Sequence, residues 1–477
     1  MTGRSNGIHD LTWRIEKALG LRVTKLPSVG RFDNLMDVSS PTPLRNRTIS
    51  RFFQGAELIV RVNLSLAKGL VWLVIFAFPR RVRKLQIQES LIFFGYCDMG
   101  SDEPLSKYWG RLPQTMRASH EFSSFDIIVD SYEIFQSAKS AAGSVYRSEL
   151  ITPSVWLRSL HQYLTLAFWV SLSALQFLTR HSASSNDIVK ASFPRGTSAA
   201  ESIVFRESLL AVDQMDTPVK AIVYLLEGQP WEQVLLEYCS NTGITSMGFL
   251  HTIVSPCQVN HSRQFGPGKV LTEPNFFLTS GPLVRNSLLD LGVKAELMLP
   301  VESLRFEWLL SLEPSAAPSD FEIVDLYTWT SPSRVLKMID AVQKNLTNRD
   351  NRLFRLRAHP DLPFRTKKSI KRVLSALSTG QDKPNVLGTP VADAASSAWI
   401  ELLVRHGIVF IWDDGDSACL PISEDNASNY SLQFVKLDGL MRISPKEGSS
   451  VEFALETMFN FSEELVQWQE CLRGALA

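Results

Sequence analysis

The sequence predicts an α/β protein in which two consecutive domains of parallel sheet face a common cleft, preceded by a basic and partly helical extension. Three observations lead to this prediction. Short apolar segments alternate with helical segments from residue 91 onward, a Pro/Ala/Ser stretch at residues 313–319 interrupts the alternation, and positive charge accumulates before residue 91. Alternating strands and helices are typical of parallel sheets, and 477 residues are enough for two or three domains.

The charge of the chain is balanced overall but unequal along its length. The chain has 49 Lys and Arg against 49 Asp and Glu, whereas residues 1–90 contain 15 basic and 6 acidic residues, a net charge of +9. The remainder therefore carries −9. This composition excludes a disordered or collagen-like chain, and the balance argues against a nucleic-acid partner. The basic extension at residues 1–90 needs an explanation of its own.

The cysteines and the N-terminal residues indicate a cytoplasmic protein. The five cysteines are an odd number and none are spaced as a CxxC pair, which fits a reducing compartment. The first ten residues are polar, so we expect no secretory signal peptide. The sequence has no motif of a P-loop, a serine-hydrolase elbow or a zinc-protease site. We therefore expect neither a metal nor a cofactor.

Two apolar segments bear on membrane contact. Residues 69–79 form an 11-residue run that is followed at once by the basic run RRVRK, and residues 162–179 are uncharged. A spanning helix needs about 20 apolar residues. Three interpretations stay open: a buried core helix, a helix at the membrane interface that meets anionic lipid head groups, or a transmembrane span.

The predicted elements define two domains, residues 91–312 and residues 320–477. Strands of the first domain are predicted at residues 91–97, 125–130, 221–226, 247–250 and 275–279, with helices at 162–179 and 231–240. Strands of the second are predicted at 321–327, 353–356, 385–387 and 408–412, with helices at 333–345 and 367–377 and a long helical region at 451–473. Ligands of such domains bind beyond the carboxyl ends of the strands. The polar residues that follow strands are therefore the candidate site.

In the first domain, polar residues follow two apolar segments. Glu227 comes directly after residues 221–226, where it is placed to act as a general base toward an attacking hydroxyl. Glu232 lies in the first turn of the next helix, where a negative charge is stabilised in any case. Both are also ordinary residues for a helix start. His251 follows residues 247–250, and its alternative is a loop histidine with no catalytic role.

In the second domain, one strand and the residues after it suit a phosphate group. Arg355 and Arg357 alternate onto one face of the strand, and His359 and Pro360 follow its end. An arginine and a histidine near the start of a helix are typical of phosphate sites.

A later helix start offers further polar groups. Ser396 and Ser397 precede the helix, and Glu401 follows at helical spacing. The hydroxyls are placed to donate hydrogen bonds to a phosphate, and the carboxylate to accept them from ribose hydroxyls. Serines are equally common as N-caps, so this feature alone predicts little.

The motifs EGQPWE, GFLH, LTSGP, ESLR, RAHP and SSAWIE, in this order, resemble bacterial surface-carbohydrate biosynthesis proteins. That group includes capsule Kdo transferases, sialyl- and pseudaminyltransferases and, more distantly, the glycerophosphotransferases of teichoic acid synthesis. The segment SKYWGRLP is similar to the N-terminal part of the same group. The resemblance covers roughly residues 91–425. It implies a GT-B-like fold, in which two Rossmann-like domains face a cleft.

The resemblance implies roles for individual residues. His359, in its His-Pro motif with Pro360, would contact the nucleotide phosphate of the donor, as would the following Ser396 and Ser397. Bacterial sialyltransferases carry an acidic motif before the His-Pro pair, whereas here the acidic run at residues 413–415 comes after it. No role is transferred to that run.

The resemblance places the EGQPWE segment on the acceptor side, which implies Glu227 as the first candidate base. The remaining cleft residues are drawn from the same segment and from the other motifs: Gln229, His251, Ser280, Gly281 and Arg305.

These arguments together predict a metal-independent glycosyltransferase of bacterial surface polysaccharide biosynthesis. We expect a nucleotide-sugar donor, with a nonulosonic acid on CMP preferred, and a lipid-linked or glycan acceptor. The basic extension would hold the enzyme at an anionic membrane surface, on the cytoplasmic face of the inner membrane. Two alternatives stay open: a CDP-polyol phosphotransferase on the same scaffold, and a non-catalytic protein that binds glycans or assembles biosynthetic partners.

Overall fold

The structure is a computed structural model of the whole chain. It describes the following residues, and the fold is given for these: 48–75, 77–79, 91–96, 106–118, 124–129, 144–180, 196–212, 219–227, 230–254, 273–312, 323–328, 332–345, 353–358, 364–378, 388–393, 397–412, 422 and 424–476.

A seven-stranded parallel sheet forms the first domain. Its strands are β1 (Leu91–Tyr96), β2 (Ser124–Val129), β3 (Ser144–Tyr146), β4 (Ala221–Leu225), β5 (Thr245–Leu250), β6 (Phe276–Thr279) and β7 (Met298–Pro300). Their order is β3-β2-β1-β4-β5-β6-β7, and every neighbouring pair is parallel. The order reverses between β1 and β4, which is the switch point where doubly wound sheets bind ligands. β4 is buried along its whole length, as expected of a central strand covered on both faces.

A six-stranded sheet forms the second domain. Its strands are β8 (Ile323–Thr328), β9 (Leu353–Ala358), β10 (Thr389–Asp393), β11 (Val409–Trp412), β12 (Leu432–Leu437) and β13 (Leu440–Pro445), in the order β12-β13-β11-β10-β8-β9. The four strands from β8 to β11 are parallel. The hairpin β12–β13 adds to β11 in the antiparallel sense. Here the switch point lies between β8 and β10.

Helices cover both sheets. In the first domain they are α1 (Thr48–Ile75), α2 (Ser106–Trp109), α3 (Leu112–Ala118), α4 (Pro153–Arg180), α5 (Gly196–Val212), α6 (Pro230–Thr242) and α7 (Pro282–Asp290). In the second part of the chain they are α8 (Pro332–Asn345), α9 (Phe364–Leu377), α10 (Ala398–His406), α11 (Val451–Met458) and α12 (Val466–Leu476). The predicted class, α/β with two Rossmann-like domains, is confirmed by these two sheets and their flanking helices.

The described part of the basic extension packs onto the first domain. Helix α1 buries Val62, Leu66 and Leu73 in a cluster with residues of α4 and α5. The hydroxyl of Tyr163 on α4 donates to the carbonyl of Leu66 at 2.7 Å. These contacts join α1, α4 and α5 into one helical layer. Among the helices in the described parts of the chain, none is long and apolar enough to cross a membrane.

The C-terminal helix leaves the second domain and packs on the first sheet. The indole of Trp468 on α12 is fully buried against Trp109 and Phe249, with ring centroids 6.0 and 5.0 Å away. The carboxylate of Glu302 accepts the backbone N–H groups of Gln467 and Trp468 at 2.9 and 3.0 Å. It thereby satisfies two N–H groups that a helix start leaves without intrahelical partners. The predicted domain of residues 320–477 thus ends on the first sheet.

The segment that joins α11 to α12, here called the crossing segment, runs close to the start of α7. The carbonyl of Ser280 accepts the N–H of Asn460 at 3.0 Å. Gly281 has φ +151°, and a Cβ there would lie 2.4 Å from the Cα of Phe459. Only glycine fits this conformation and this approach. The long helical region predicted at residues 451–473 is therefore divided into α11 and α12, with the crossing segment between them.

Candidate functional site

Glu227 lies at the switch point of the first sheet. It follows the end of β4 by two residues, and its side chain is 26% exposed. Its backbone N–H donates to Oε1 of Glu232 at 2.9 Å. Glu232, in the first turn of α6, is fully buried. The structure therefore gives the two predicted carboxylates different positions: Glu227 is partly open to solvent, and Glu232 orients the backbone that carries it.

His251 follows β5, the strand next to β4. Its Nε2 atom lies 3.2 Å from Oε1 of Glu227, and the imidazole is 1% exposed. The ring of Tyr108, on α2 after β1, contacts the imidazole edge-on with centroids 4.8 Å apart. Tyr108 on α2, Glu227 after β4 and His251 after β5 thus lie together at the same edge of the sheet. Sequence analysis did not select Tyr108, although it belongs to the SKYWGRLP segment.

Arg305 follows β7 and is partly buried. It is within electrostatic reach of Tyr108 and Glu227 in the first domain and of Glu401 in the second. Burial lowers the pKa of Arg305, and these three groups oppose that shift. A guanidinium stays charged in proteins even so. Arg305 therefore places a positive charge within electrostatic reach of a carboxylate at each switch point.

In the second domain, a buried carboxylate organises two arginines. Asp325 on β8 accepts two hydrogen bonds from Arg355, at 2.8 and 2.6 Å, and lies 3.3 Å from Nε of Arg357. The side chain of Arg355 is 12% exposed and that of Arg357 is 50% exposed. Arg355 and Arg357 lie on the same face of β9, as predicted, but their side chains differ in burial and in the contacts they make. Arg355 is bound within the sheet, while Arg357 presents its outer nitrogens to solvent.

Gly388, just before β10, allows the carboxylate this position. Its N–H donates to Oδ2 of Asp325 at 3.1 Å, and a Cβ at Gly388 would lie 2.9 Å from the same oxygen. Sequence analysis missed Asp325. The signal was present, because an aspartate interrupts the apolar run that predicts strand β8, and a carboxylate buried in such a strand needs cationic partners.

Ser397 and Glu401 lie at the start of α10, directly after β10 and therefore at the second switch point. The hydroxyl of Ser397 makes no capping hydrogen bond to any residue that the structure describes. Oε1 of Glu401 accepts a hydrogen bond from Nε of Arg405 at 2.9 Å. Burial, Asp325 and Glu401 raise the pKa of Tyr327, which Arg357 and Arg405 lower. These two carboxylates and two arginines therefore interact electrostatically near the carboxyl ends of the strands in the second sheet.

The predicted residues divide into three sets. The first set lines the two switch points or the space between them: Glu227, His251, Arg305, Arg357, Ser397 and Glu401. The second set contacts the crossing segment or supports the backbone: Glu232, Ser280 and Gly281. The third lies outside the described residues: Gln229, His359, Pro360 and Ser396. Within the described residues, no group of His, Cys, Asp and Glu side chains is arranged to hold a metal ion.

Comparison with known proteins shows distant structural similarity alone. No protein-family model matches the chain, and no curated protein sequence matches it significantly. Among solved structures, UDP-GlcNAc 2-epimerase from Neisseria meningitidis bound to UDP-GlcNAc is 11% identical, with 81% of this chain and 99% of that chain covered and a TM-score of 0.40. Similarity of this degree assigns neither an activity nor a substrate to this chain.

Proposed function

We propose that this protein is a glycosyltransferase that takes a sugar from a nucleotide donor without a metal ion. The supporting observation is the relation between the two switch points. A carboxylate, Glu227, stands at the first, and the phosphate-binding candidates Arg357 and Ser397 stand at the second. Arg305 interacts electrostatically with both sides through Glu227 and Glu401. A cleft with a base on one wall and phosphate donors on the other suits transfer of a group from phosphate to a hydroxyl.

In the proposed reaction, Glu227 takes the proton of the acceptor hydroxyl. The acceptor oxygen forms a bond to the anomeric carbon while the bond from that carbon to the phosphate oxygen breaks. The electron pair of the broken bond stays on the leaving nucleotide phosphate. His251, 3.2 Å from Glu227, holds the carboxylate in position. No electron acceptor or further reactant is needed.

The phosphate would be bound by groups of the second domain. Arg357 has an exposed guanidinium that Asp325 holds by Nε, which leaves the outer nitrogens for phosphate oxygens. Ser397 and the first N–H groups of α10 form a second set of donors. By resemblance, His359 and Ser396 join them. We propose CMP as the nucleotide and a nonulosonic acid as the sugar, in line with the resemblance to sialyl-, pseudaminyl- and Kdo transferases.

We also propose that the enzyme works on a lipid-linked acceptor at an anionic membrane surface. Helix α1 buries one side in the helical layer, but its other side is apolar and exposed. Val60, Leu64, Val71 and Val74 are 45–64% exposed. On the neighbouring α4, Leu157 and Leu164 are 58% and 49% exposed. The sequence RRVRK follows directly after Pro79, so its charges lie within a short chain length of this apolar face. Apolar side chains next to basic ones are typical of interfacial helices.

The test is a transfer assay with purified protein, a panel of CMP-, UDP- and GDP-sugars and a membrane extract as acceptor source. Glu227→Gln should lower kcat by about 100-fold or more and leave nucleotide affinity unchanged. Glu237→Gln is the matched control, because Glu237 is an exposed glutamate of the nearby α6. Full activity of Glu227→Gln would exclude this base. Release of CMP with a new phosphodiester would instead identify a polyol phosphotransferase. Absence of any nucleotide binding would identify a non-catalytic protein.

A further inference from the structure

A buried carboxylate joins helices α4 and α5 of the first domain. Glu207 on α5 binds through both oxygens: Oε2 accepts a hydrogen bond from Nε of Arg158 at 2.8 Å, and Oε1 accepts one from the amide of Gln162 at 2.6 Å. Arg206, the residue before Glu207, has a terminal nitrogen 3.8 Å from the same Oε1. Its guanidinium also donates to the side chain of Gln162. One carboxylate and one amide therefore hold two arginines in place.

The surface of this cluster is positively charged. The side chain of Arg158 is 52% exposed and that of Arg206 is 34% exposed, whereas that of Glu207 is 4% exposed. Two guanidinium groups thus share one carboxylate that solvent hardly reaches. Arg158 resembles Arg357 beside Asp325, since in both the Nε atom faces a buried carboxylate and half of the side chain is exposed. The fork of a fixed guanidinium loses little conformational freedom when it binds an oxyanion.

An apolar row runs along α4 beside the cluster. Leu157, Leu164 and Phe168 are 58%, 49% and 63% exposed. Together with the exposed His161 they have the spacing i, i+4, i+7 and i+11, which places them on one face of the helix. Arg158 follows Leu157 in the chain and reaches the carboxylate on α5, so the arginines border this face on the side of α5. Apolar side chains bordered by cations suit the boundary between the acyl chains and the head groups of a bilayer.

We infer that Arg158 and Arg206 bind the phosphate group of an anionic phospholipid while the apolar row of α4 contacts its acyl chains. This inference rests on the membrane contact in the proposed function and names a head-group site for it. A phosphodiester presents two oxygens to a guanidinium fork, and two cations beside one anion favour a negatively charged ligand. A lipid fits better than a soluble phosphate, because only a lipid also covers the exposed apolar row.

The experiment is sedimentation of the full chain with vesicles of phosphatidylglycerol or of phosphatidylcholine. Arg158→Gln combined with Arg206→Gln should weaken binding to phosphatidylglycerol by about 10-fold or more and leave binding to phosphatidylcholine unchanged. The control is Arg365→Gln combined with Arg372→Gln, which removes the same charge from exposed arginines of α9 in the second domain. It should bind like the wild type. Equal losses in the two double variants would overturn the inference, because binding would then follow total charge alone.

Glu207→Gln distinguishes a site with fixed arginines from general electrostatic attraction. This variant raises the net charge by one but removes the carboxylate that holds the guanidinium groups. It should bind phosphatidylglycerol about 5-fold more weakly, because the arginines are no longer preorganised. Tighter binding, as expected of an unspecific basic surface, would contradict the inference.

A charge-conserving variant provides a second measurement if a glutamine variant does not fold, which the unfolding temperature reveals. Arg158→Lys combined with Arg206→Lys keeps both charges but lacks the planar fork. Its affinity for phosphatidylglycerol should lie between those of the wild type and the glutamine pair. Wild-type affinity of the lysine pair would count against phosphate recognition by these two residues.

The vesicle assay gives its result whether or not the protein transfers a sugar. If transfer is absent but the vesicle results are as expected, the head-group site stands and the proposed reaction fails. If the wild type does not sediment with phosphatidylglycerol, the site fails even when sugar is transferred to a soluble acceptor. Thermal unfolding with inorganic phosphate tests the free anion. Stabilisation of the wild type that the glutamine pair loses would assign the site to a soluble phosphate and overturn the inference.

Discussion

The Nε2 atom of His251 lies 3.2 Å from Oε1 of Glu227, and the imidazole is almost fully buried while the carboxylate is partly open. Their strands, β5 and β4, are parallel neighbours, so the two side chains leave the sheet at the same edge. The ring of Tyr108 also contacts the imidazole, edge-on and with centroids 4.8 Å apart. The histidine is therefore fixed on two sides and suited to orient the glutamate.

His251→Asn should lower kcat by about 100-fold, because a carboxylate displaced by about 1 Å loses catalytic alignment. The KM for the donor should stay near the wild-type value, since the donor is bound mainly by the second domain. The measurement is steady-state kinetics over a range of pH, with Tyr108→Phe as the milder variant that keeps the ring contact. Wild-type kcat in His251→Asn would mean that Glu227 needs no orienting partner.

A second prediction separates the two arginines of β9. Asp325→Asn removes the carboxylate that pairs with Arg355, whose side chain is 12% exposed. Loss of one partner of a buried pair costs about 3–5 kcal/mol. Unfolding in guanidinium chloride should therefore show a large decrease in the free energy of unfolding. Arg357→Gln should change stability by less than about 0.5 kcal/mol, because its side chain is half exposed, but should weaken CMP binding. Equal effects of both variants on stability would contradict this division.

The sequence predicts much of this site because the relevant signals are local. Glu227, His251 and Ser397 each follow a strand or begin a helix, and apolar runs beside polar residues reveal such positions. The contact between Glu227 and His251 depends on the order of the strands in the sheet. The local pattern of a single sequence does not reveal that order. Asp325 was missed because its strand was predicted from the apolar residues alone, and the aspartate among them was not considered.

Elements were missed for similar reasons. The strands β3 and β7 have three residues each, too few for a period of two to be seen. The hairpin β12–β13 turns at Asp438-Gly439, a typical hairpin signal, but no strands were predicted on either side of it. The break between α11 and α12 arises where the chain crosses between domains, so contacts distant in sequence override local helix propensity.

The crossing segment gives a third prediction. Gly281→Ala should lower the free energy of unfolding by about 3 kcal/mol or more, since the new Cβ would lie 2.4 Å from Cα of Phe459 and 2.5 Å from the carbonyl oxygen of Met458. Both contacts are with backbone, which cannot rotate away. Gly243→Ala is the control: its φ is +74°, but its Cβ would meet nothing within 4 Å. It should cost only about 1 kcal/mol, and an equal loss in both variants would mean that the crossing segment adapts.

A fourth prediction concerns pH. His406 at the end of α10 is buried, and burial lowers its pKa below the usual 6.5, with Arg405 acting in the same direction and Asp325 opposing. The unfolded chain therefore binds a proton on this residue at a higher pH than the folded chain does. Stability should fall as pH decreases through about 6.5. His406→Gln should reduce the difference between unfolding temperatures at about pH 7.5 and 5.5.

His161→Gln is the control for that measurement, because His161 is exposed on α4. It should leave the pH dependence as in the wild type. If His406→Gln keeps the full pH dependence, then other titratable groups carry it.

The last prediction tests the apolar face of α1. The triple variant Leu64→Ser, Val71→Ser, Val74→Ser changes side chains that are 45–55% exposed, so the core contacts of Leu66 and Leu73 on the opposite side are kept. Burial of apolar side chains contributes about 1.5–3 kcal/mol each when complete, and basic residues add about 1 kcal/mol each at an anionic surface. The variant should therefore lose sedimentation with phosphatidylglycerol vesicles while folding normally.

Two further variants separate the contributions of charge and apolar contact. Charge reversal at Arg80, Arg81, Arg83 and Lys84 should abolish the preference for phosphatidylglycerol over phosphatidylcholine and leave transfer to a soluble acceptor intact. Leu336→Ser, an exposed leucine of α8 in the second domain, should bind vesicles like the wild type. If the triple variant sediments like Leu336→Ser, the apolar face of α1 does not contact lipid, and other parts of the surface would have to account for any vesicle binding.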